Sequence, residues 1–301
     1  MEKRSLLLVV VAVVGLLSSV SFAGGPLGPP MNVLEPGKWA FDIAYFHEKM
    51  DLWGCGDVSS LSAEPNGTDP NLWDWESGGS SLDKVRLRDF KTNTILASLE
   101  YGLCENWDVY LRLGVADAKA DVSWWGDTTE DSADFGYGLA WQLGSNFTIC
   151  RSGPWTFGGR MQIGAAYPGD WSQTRSGTWV EGDANGPSTE ETTADLSWWQ
   201  GLAYLGGTYQ MNDTLQCYAG LGWQTMQGTL DVDYSYTAYY DSSAVYQERA
   251  NGSMKIKHAS AIAVFGLAWK PPVDDARVGV ELIVGEAGKF GFGITGAIPI
   301  P

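Results

Sequence analysis

From Trp107 to Val115 the chain alternates strictly in polarity. Trp107, Val109, Leu111, Leu113 and Val115 fall on one parity, and Asp108, Tyr110, Arg112 and Gly114 on the other. Period two is the mark of a strand with two different faces. Similar runs recur along the chain and predict about ten strands, at roughly 38–52, 84–103, 107–124, 133–145, 154–168, 193–211, 214–236, 254–269, 276–285 and 288–300. Scarcely any stretch shows helical periodicity.

The connections alternate in length. A long one at 53–83 is followed by a tight turn at Cys104-Glu105-Asn106, the loop WGDTTEDSAD, a shorter turn within SNFTICRSGP, and a long one from Tyr167 to Glu191. The tight turn QMNDT, the loop SAVYQERANGS, KPPVDD and the short link GEAGK complete the series. Short turns on one side and long loops on the other are the layout of a transmembrane barrel, with the short turns in the periplasm. One hairpin also repeats: EYGLCENWDVYLRLGV aligns with TYQMNDTLQCYAGLGW, matching Tyr101 to Tyr209, Tyr110 to Tyr218 and Gly114 to Gly222.

Near the tight turns the odd parity is apolar on several strands: Trp39, Phe41, Ile43 and Tyr45; Leu99, Tyr101 and Leu103; Leu139, Trp141 and Leu143; Phe265, Leu267 and Trp269. The opposite parity is small or polar, and includes Asp42, Gly102, Gly158, Gly220 and Gly222. A soluble sandwich would bury the first set; a membrane barrel turns it to lipid and the second set to a lumen. Aromatics at the strand ends (Tyr101, Trp107, Trp141, Trp155, Tyr209, Trp269) suit an interfacial girdle and favour lipid. The lumen would then be lined by Glu100, Arg112, Gln142, Arg160 and Gln162. Pairing of residues 102 and 108 would set Glu100 diagonal to Arg112, within reach of an ion pair.

Farther from the tight turns the pattern changes sign. Asp117, Lys119 and Asp121, Asp195 and Ser197, and Asp231 and Asp233 take the odd parity there, while Val122, Trp124, Leu196, Trp198, Leu230 and Val232 take the even. Crossing a bilayer needs only about 9 to 11 tilted residues, fewer than these runs contain. The barrel is therefore expected to stand above the membrane with an apolar upper interior. The alternative is a β-bulge in each strand, for instance at Gly228, which would turn the aspartates inward.

Composition adds location. The start, MEKRSLLLVVVAVVGLLSSVSFAGG, has Lys3 and Arg4, an apolar run from Leu6 to Leu17 and Ser21-Phe22-Ala23 before Gly24, the form of a secretory signal over 1–23. Residues 24–37 then form a periplasmic N-terminal segment, and 38–301 a single barrel domain. The chain has 19 basic and 36 acidic residues, a net charge of −17, which argues against nucleic acid as a partner. Cys55, Cys104, Cys150 and Cys217 are too sparse for a disulfide framework, although Cys104 and Cys150 could pair if their turns are neighbours. No CxxC is present and there are only two histidines, so neither a cofactor nor a resident metal is expected.

Over its whole length after the signal, the chain resembles the bacterial outer-membrane β-barrel proteins, the porin-like superfamily, through the signal, the girdled alternating strands and the turn rhythm. It departs from them in ending FGFGITGAIPIP, with no aromatic at the C-terminus. The resemblance implies an all-β, antiparallel up-and-down barrel in the outer membrane, with lipid as partner. It implies no particular solute.

Three functions follow as expectations. The first is non-enzymatic, porin-like passage or binding of small solutes through a narrow polar lumen, with a funnel for small apolar ligands in the upper interior as its variant. The second is a structural or adhesive role for acidic loops carrying Asp57, Glu64, Asp69, Asp74, Glu76, Glu181, Asp183, Glu190 and Glu191, where divalent cations could bind carboxylates. The third, an enzyme, is disfavoured: omptin proteases use Asp and His at the outer rim, and His258 would join Asp231 and Asp233 only under the bulge alternative. A lipid-facing His47 lacks an identifiable serine partner. A wall rich in Trp and Leu also suits a homo-oligomer.

Overall fold

The long alternating runs are strands, and their register closes them into a ring. The computed structural model describes residues 28–65, 73–124, 131–181, 184–240, 243–271, 276–286 and 289–300. Eleven strands run in order: β1 (Trp39–Pro65), β2 (Trp73–Cys104), β3 (Trp107–Trp124), β4 (Asp131–Ser152), β5 (Trp155–Tyr167), β6 (Trp171–Glu181), β7 (Ala184–Asn212), β8 (Leu215–Tyr240), β9 (Ser243–Trp269), β10 (Arg277–Gly285) and β11 (Phe290–Ile300). Each ladder is antiparallel, β5 pairs with β7, and β1 pairs with β11. Because β5 and β6 run in succession along β7, they form one interrupted stave, and the ring has ten staves. The signal reading at 1–23 and the loop residues Asp69 and Asp183 lie outside the described residues.

The strands outrun their expected lengths. Much of the chain expected as loop at 53–83, 168–192 and 243–253 is paired strand, from Trp53↔Arg86 to Pro65↔Trp73, in the β6–β7 hairpin, and from Tyr240↔Ser243 downward. Polar, Gly- and Ser-rich strands that stand in water bury no continuous face, so their sequence reads as loop. The turn expected across SNFTICRSGP shrinks to Gly153-Pro154, because Ser152 pairs with Trp155. Trp141 consequently lies opposite Leu113 and Ala165, two residues short of the Leu139↔Tyr167 pair at the top of the β4–β5 ladder, and not beside the short turns.

The outward face carries a continuous apolar belt that includes Phe41, Ile43, Leu99, Leu111, Leu113, Leu143, Ile163, Leu205, Leu221, Phe265 and Ile298, all exposed. Trp39, Trp107, Trp155 and Trp269 border it beside the short turns, and Tyr45, Tyr137, Tyr167, Trp199 and Trp223 border it on the other side. The 13 residues of β5 run from one border to the other. At a rise of ~3.3 Å and a tilt of ~40°, such a strand spans roughly 30 Å, enough for a hydrocarbon core. Exposing this much apolar surface to water would be very unfavourable; in lipid it is the expected wall. No helix among the described residues is long and apolar enough to cross a membrane, and the strands do so instead.

Above the belt the barrel changes section. The β10–β11 hairpin ends at Gly285 and Phe290, and beyond it β1 pairs directly with β9, from Trp53↔Lys257 to Ala63↔Gln247. β1 therefore closes the ring twice, against β11 in the membrane and against β9 above it. Bulges at Asp89-Phe90 in β2 and at Gly136-Tyr137 in β4 swap the faces of those two strands, and Asp89 has a φ of 49°. On β8 the register runs past Gly228 without a shift, so the even parity stays inside throughout. Asp231 and Asp233 are exposed while Leu230 is buried, which makes the upper barrel a true protrusion.

Candidate functional site

The interior is built in three layers. At the bottom, all five expected lumen residues, Glu100, Arg112, Gln142, Arg160 and Gln162, are buried inside the barrel. Gly102 pairs with Asp108, and Glu100 lies 4.0 Å from Arg112, an ion pair set by that register. The nearer partner is Asp42, at 3.4 Å, which also accepts a hydrogen bond from Ser98. Both guanidinium groups, of Arg112 and Arg160, lie over the ring of Tyr110, 4.5 and 4.3 Å from its centroid. The Tyr110 hydroxyl donates to Gln162 and accepts from Arg160 Nε. The wall groups therefore pair with one another across the bore and narrow it.

Sequence reasoning overlooked what completes this layer. Residues 28–34, part of the segment expected in the periplasm, lie in the periplasmic mouth of the barrel and bond to its walls. Asn32 is buried against Thr148 and the Glu105 carbonyl; Val33 N–H donates to Asp108 at 2.6 Å; Gly28 N–H donates to Glu281 at 2.7 Å. Tyr204 donates to the Gly28 carbonyl, Tyr218 donates to Glu281, and Arg277 donates to the Val33 carbonyl. Inward glycines give the segment its seat: a Cβ on Gly158 would strike the Pro30 carbonyl, and one on Gly102 would strike the Glu35 carbonyl. The signal was present, since Asp108 and Tyr110 share the parity of Arg112, and the wall's inward glycines mark a close approach of another backbone. A cavity of about 280 Å³ remains between the segment and the walls, bordered by Asp42, Arg112, Arg160 and Tyr218.

The middle layer is closed by Phe46, Leu202, Ile262, Val264 and Ile283, all buried. The upper layer is an apolar core of Met50, Leu52, Leu87, Phe90, Leu96, Phe135, Met226, Met254 and Ile256. Four of the residues expected there, Val122, Leu196, Trp198 and Leu230, are buried in it, and Val232 packs against it. Trp124 pairs with Val85 through its backbone, and its side chain lies outside the described residues.

On top of this core the barrel opens into a cup of about 590 Å³. Its apolar lining comes from Val58, Val122, Ala133, Phe135, Trp171, Ala194, Leu230, Val232 and Met254; its polar groups are Asp131, Arg175, Glu190, Thr192, Tyr234 and Asn251. Burial, with Glu190 and Glu248 beside it, pushes the Tyr234 hydroxyl up to about 12, so the phenol stays neutral. A mostly apolar concavity of this size with a few polar groups is the common form of a small-molecule site.

The remaining candidates are placed as follows. His258 pairs with Met226 on the inner parity and is apart from the exposed Asp231 and Asp233. His47 faces outward, with Nδ1 2.6 Å from Asn93 Oδ1; Asn93 in turn joins Tyr45 and Asp117, and none of these is a serine. The described loop acids are in strands, Glu64, Asp74 and Glu76 exposed on β1 and β2 and Glu190 beside the cup; Glu181 is described only as the end of β6. Among the described residues no group of three or more His, Cys, Asp or Glu could hold a metal ion. All four cysteines are free, and Cys104 and Cys150 sit on β2 and β4 with β3 between them.

No family model matches the chain, and no curated protein matches it in sequence. Among solved structures it is similar to the outer membrane protease OmpT from Escherichia coli, at 10% identity and a TM-score of 0.37, covering 89% of this chain and 97% of that one. It is also similar to the toluene transporter TbuX of Ralstonia pickettii, at 9% identity and a TM-score of 0.33, covering 90% and 91%. The outer membrane protein OprG from Pseudomonas aeruginosa shows 12% identity and a TM-score of 0.25, over 86% and 96%. Likenesses this distant leave the architecture to rest on the register and the belt. A closed antiparallel ring of ten staves, girdled by aromatics and apolar on its outer wall, is an outer-membrane β-barrel.

Proposed function

We propose that this outer-membrane barrel captures small apolar molecules in its extracellular cup, and that it is not a general polar pore. The observation that carries this reading is the 590 Å³ cup lined by Val122, Phe135, Trp171, Leu230, Val232 and Met254, seated on an interior filled with side chains. Polar solute passage, the first expectation, has less room. Below the cup lie an apolar core, the Phe46 layer, and a polar layer capped by residues 28–34. The cup's few polar groups would orient a ligand, and its apolar wall would supply the affinity.

The test is a titration of the refolded barrel with N-phenyl-1-naphthylamine, followed by energy transfer from tryptophan. Saturable binding that falls at least tenfold in L230Q/V232Q is expected. Transfer no greater than that of the double variant would overturn the reading. So would steady single-channel conductance in a planar bilayer, which would favour passage instead.

A further inference from the structure

The wall of the cup is incomplete. The β4–β5 ladder ends at Leu139↔Tyr167; above it β4 pairs only with β3, and β6 pairs only with β7, among the described residues. Two local features explain the parting. Pro168 has no N–H to continue a ladder, and the bulge at Gly136-Tyr137 turns β4 at the same height. Among the contacts that bridge the slot are Gly169 N–H to the Gly136 carbonyl at 2.7 Å at its base and an ion pair between Arg175 and Asp131 higher up.

Position gives the slot its meaning. Its two lips begin at Tyr137 and Tyr167, which belong to the outer aromatic border, so it opens where the barrel leaves the lipid. Both lips line the cup, with Asp131, Ala133 and Phe135 from β4 and Trp171 and Arg175 from β6. Downward, the cup ends on packed side chains. The slot lies between the cup and the membrane surface, above that core.

We propose that the cup exchanges its ligand with the outer leaflet through the slot between β4 and β6, and that the Arg175–Asp131 pair is its latch. The proposal rests on the cup being a site for small apolar molecules. Such molecules partition into lipid, so the membrane surface is where their local concentration is high. The latch is partly exposed, and an ion pair in that setting contributes little, which makes it easy to open.

The experiment uses a full chain in which Cys55, Cys104, Cys150 and Cys217 are replaced by serine and D131C and R175C are added. The barrel is reconstituted into dimyristoylphosphatidylcholine vesicles, the two cysteines are bridged with a short bismaleimide, and the link is confirmed by mass. Uptake of N-phenyl-1-naphthylamine is then followed by stopped flow. Bridging should slow uptake and release at least tenfold relative to the same cysteine variant before bridging. D131A, which removes the latch without a cross-link, should speed both. Rates unchanged in both variants would overturn the slot while leaving the cup intact. Absence of saturable binding in the parent chain would overturn the cup itself.

Discussion

Asp108 and Val33 tie the start of the chain to the barrel wall: the Asp108 carboxylate accepts the Val33 N–H at 2.6 Å, where Asp108 is almost wholly buried. A hydrogen bond to a charged group contributes about 1.5–3 kcal/mol. Asp108→Ala should therefore loosen residues 28–34 while leaving the ladders intact. Hydrogen exchange of that segment should accelerate by at least tenfold with belt strands unchanged; equal protection in the variant would show that the bond is dispensable.

That segment marks the boundary of what the sequence disclosed. Parity alone located the lumen set, because each strand's alternation is a local property, and Glu100 found Arg112 once the turn at Cys104-Glu105-Asn106 fixed the register. A segment without alternation that docks end-on leaves no periodic trace, so the seat of Pro30 against Gly158 was visible only as an unexplained inward glycine. The slot was hidden for a related reason. Pro168 reads as an ordinary turn signal, and only the ladders show that the strand resumes at Trp171 with one neighbour missing.

Arg112 is buried between two carboxylates and a glutamine. Arg112→Ala strands the buried charges of Asp42 and Glu100, and breaking such a pair costs about 3–5 kcal/mol. The temperature at which the folded band converts in a heat-modifiability gel should fall clearly. The triple variant D42N/E100Q/R112M, which removes all three charges, should recover most of the loss; failure to recover would assign the effect to shape.

Gly266 lies inward against the Tyr218 ring, and a Cβ there would fall on the ring itself. Gly266→Val should cost about 1–3 kcal/mol through overpacking. Gly296, where no atom lies within 4 Å of a built Cβ, is the control: Gly296→Ala should leave the urea midpoint unchanged. Equal effects at both positions would refute the packing argument.

On the protruding wall Asp195 pairs across strands with Asp231, beside Asp170 and Asp233. The hydrogen bond with Asp170, then burial and repulsion from its neighbours, raise the Asp195 carboxyl above the usual range. A raised carboxyl favours the folded state below its unfolded value of about 3.9, and that contribution is lost as pH rises through the folded value. Asp195→Asn should therefore gain on the parent as pH rises from about 4 to 7, by less than about 1 kcal/mol at so exposed a site. Parallel thermal midpoints across that range would contradict it.

The double use of β1 makes closure redundant. Its lower half, Trp39 to Lys49, is zipped to β11, and its upper half, Trp53 to Ala63, to β9. A slip in the last hairpin would break the membrane seam yet leave the collar above it fastened, so the two ends of the sheet stay tethered while the lower ladder finds its register again.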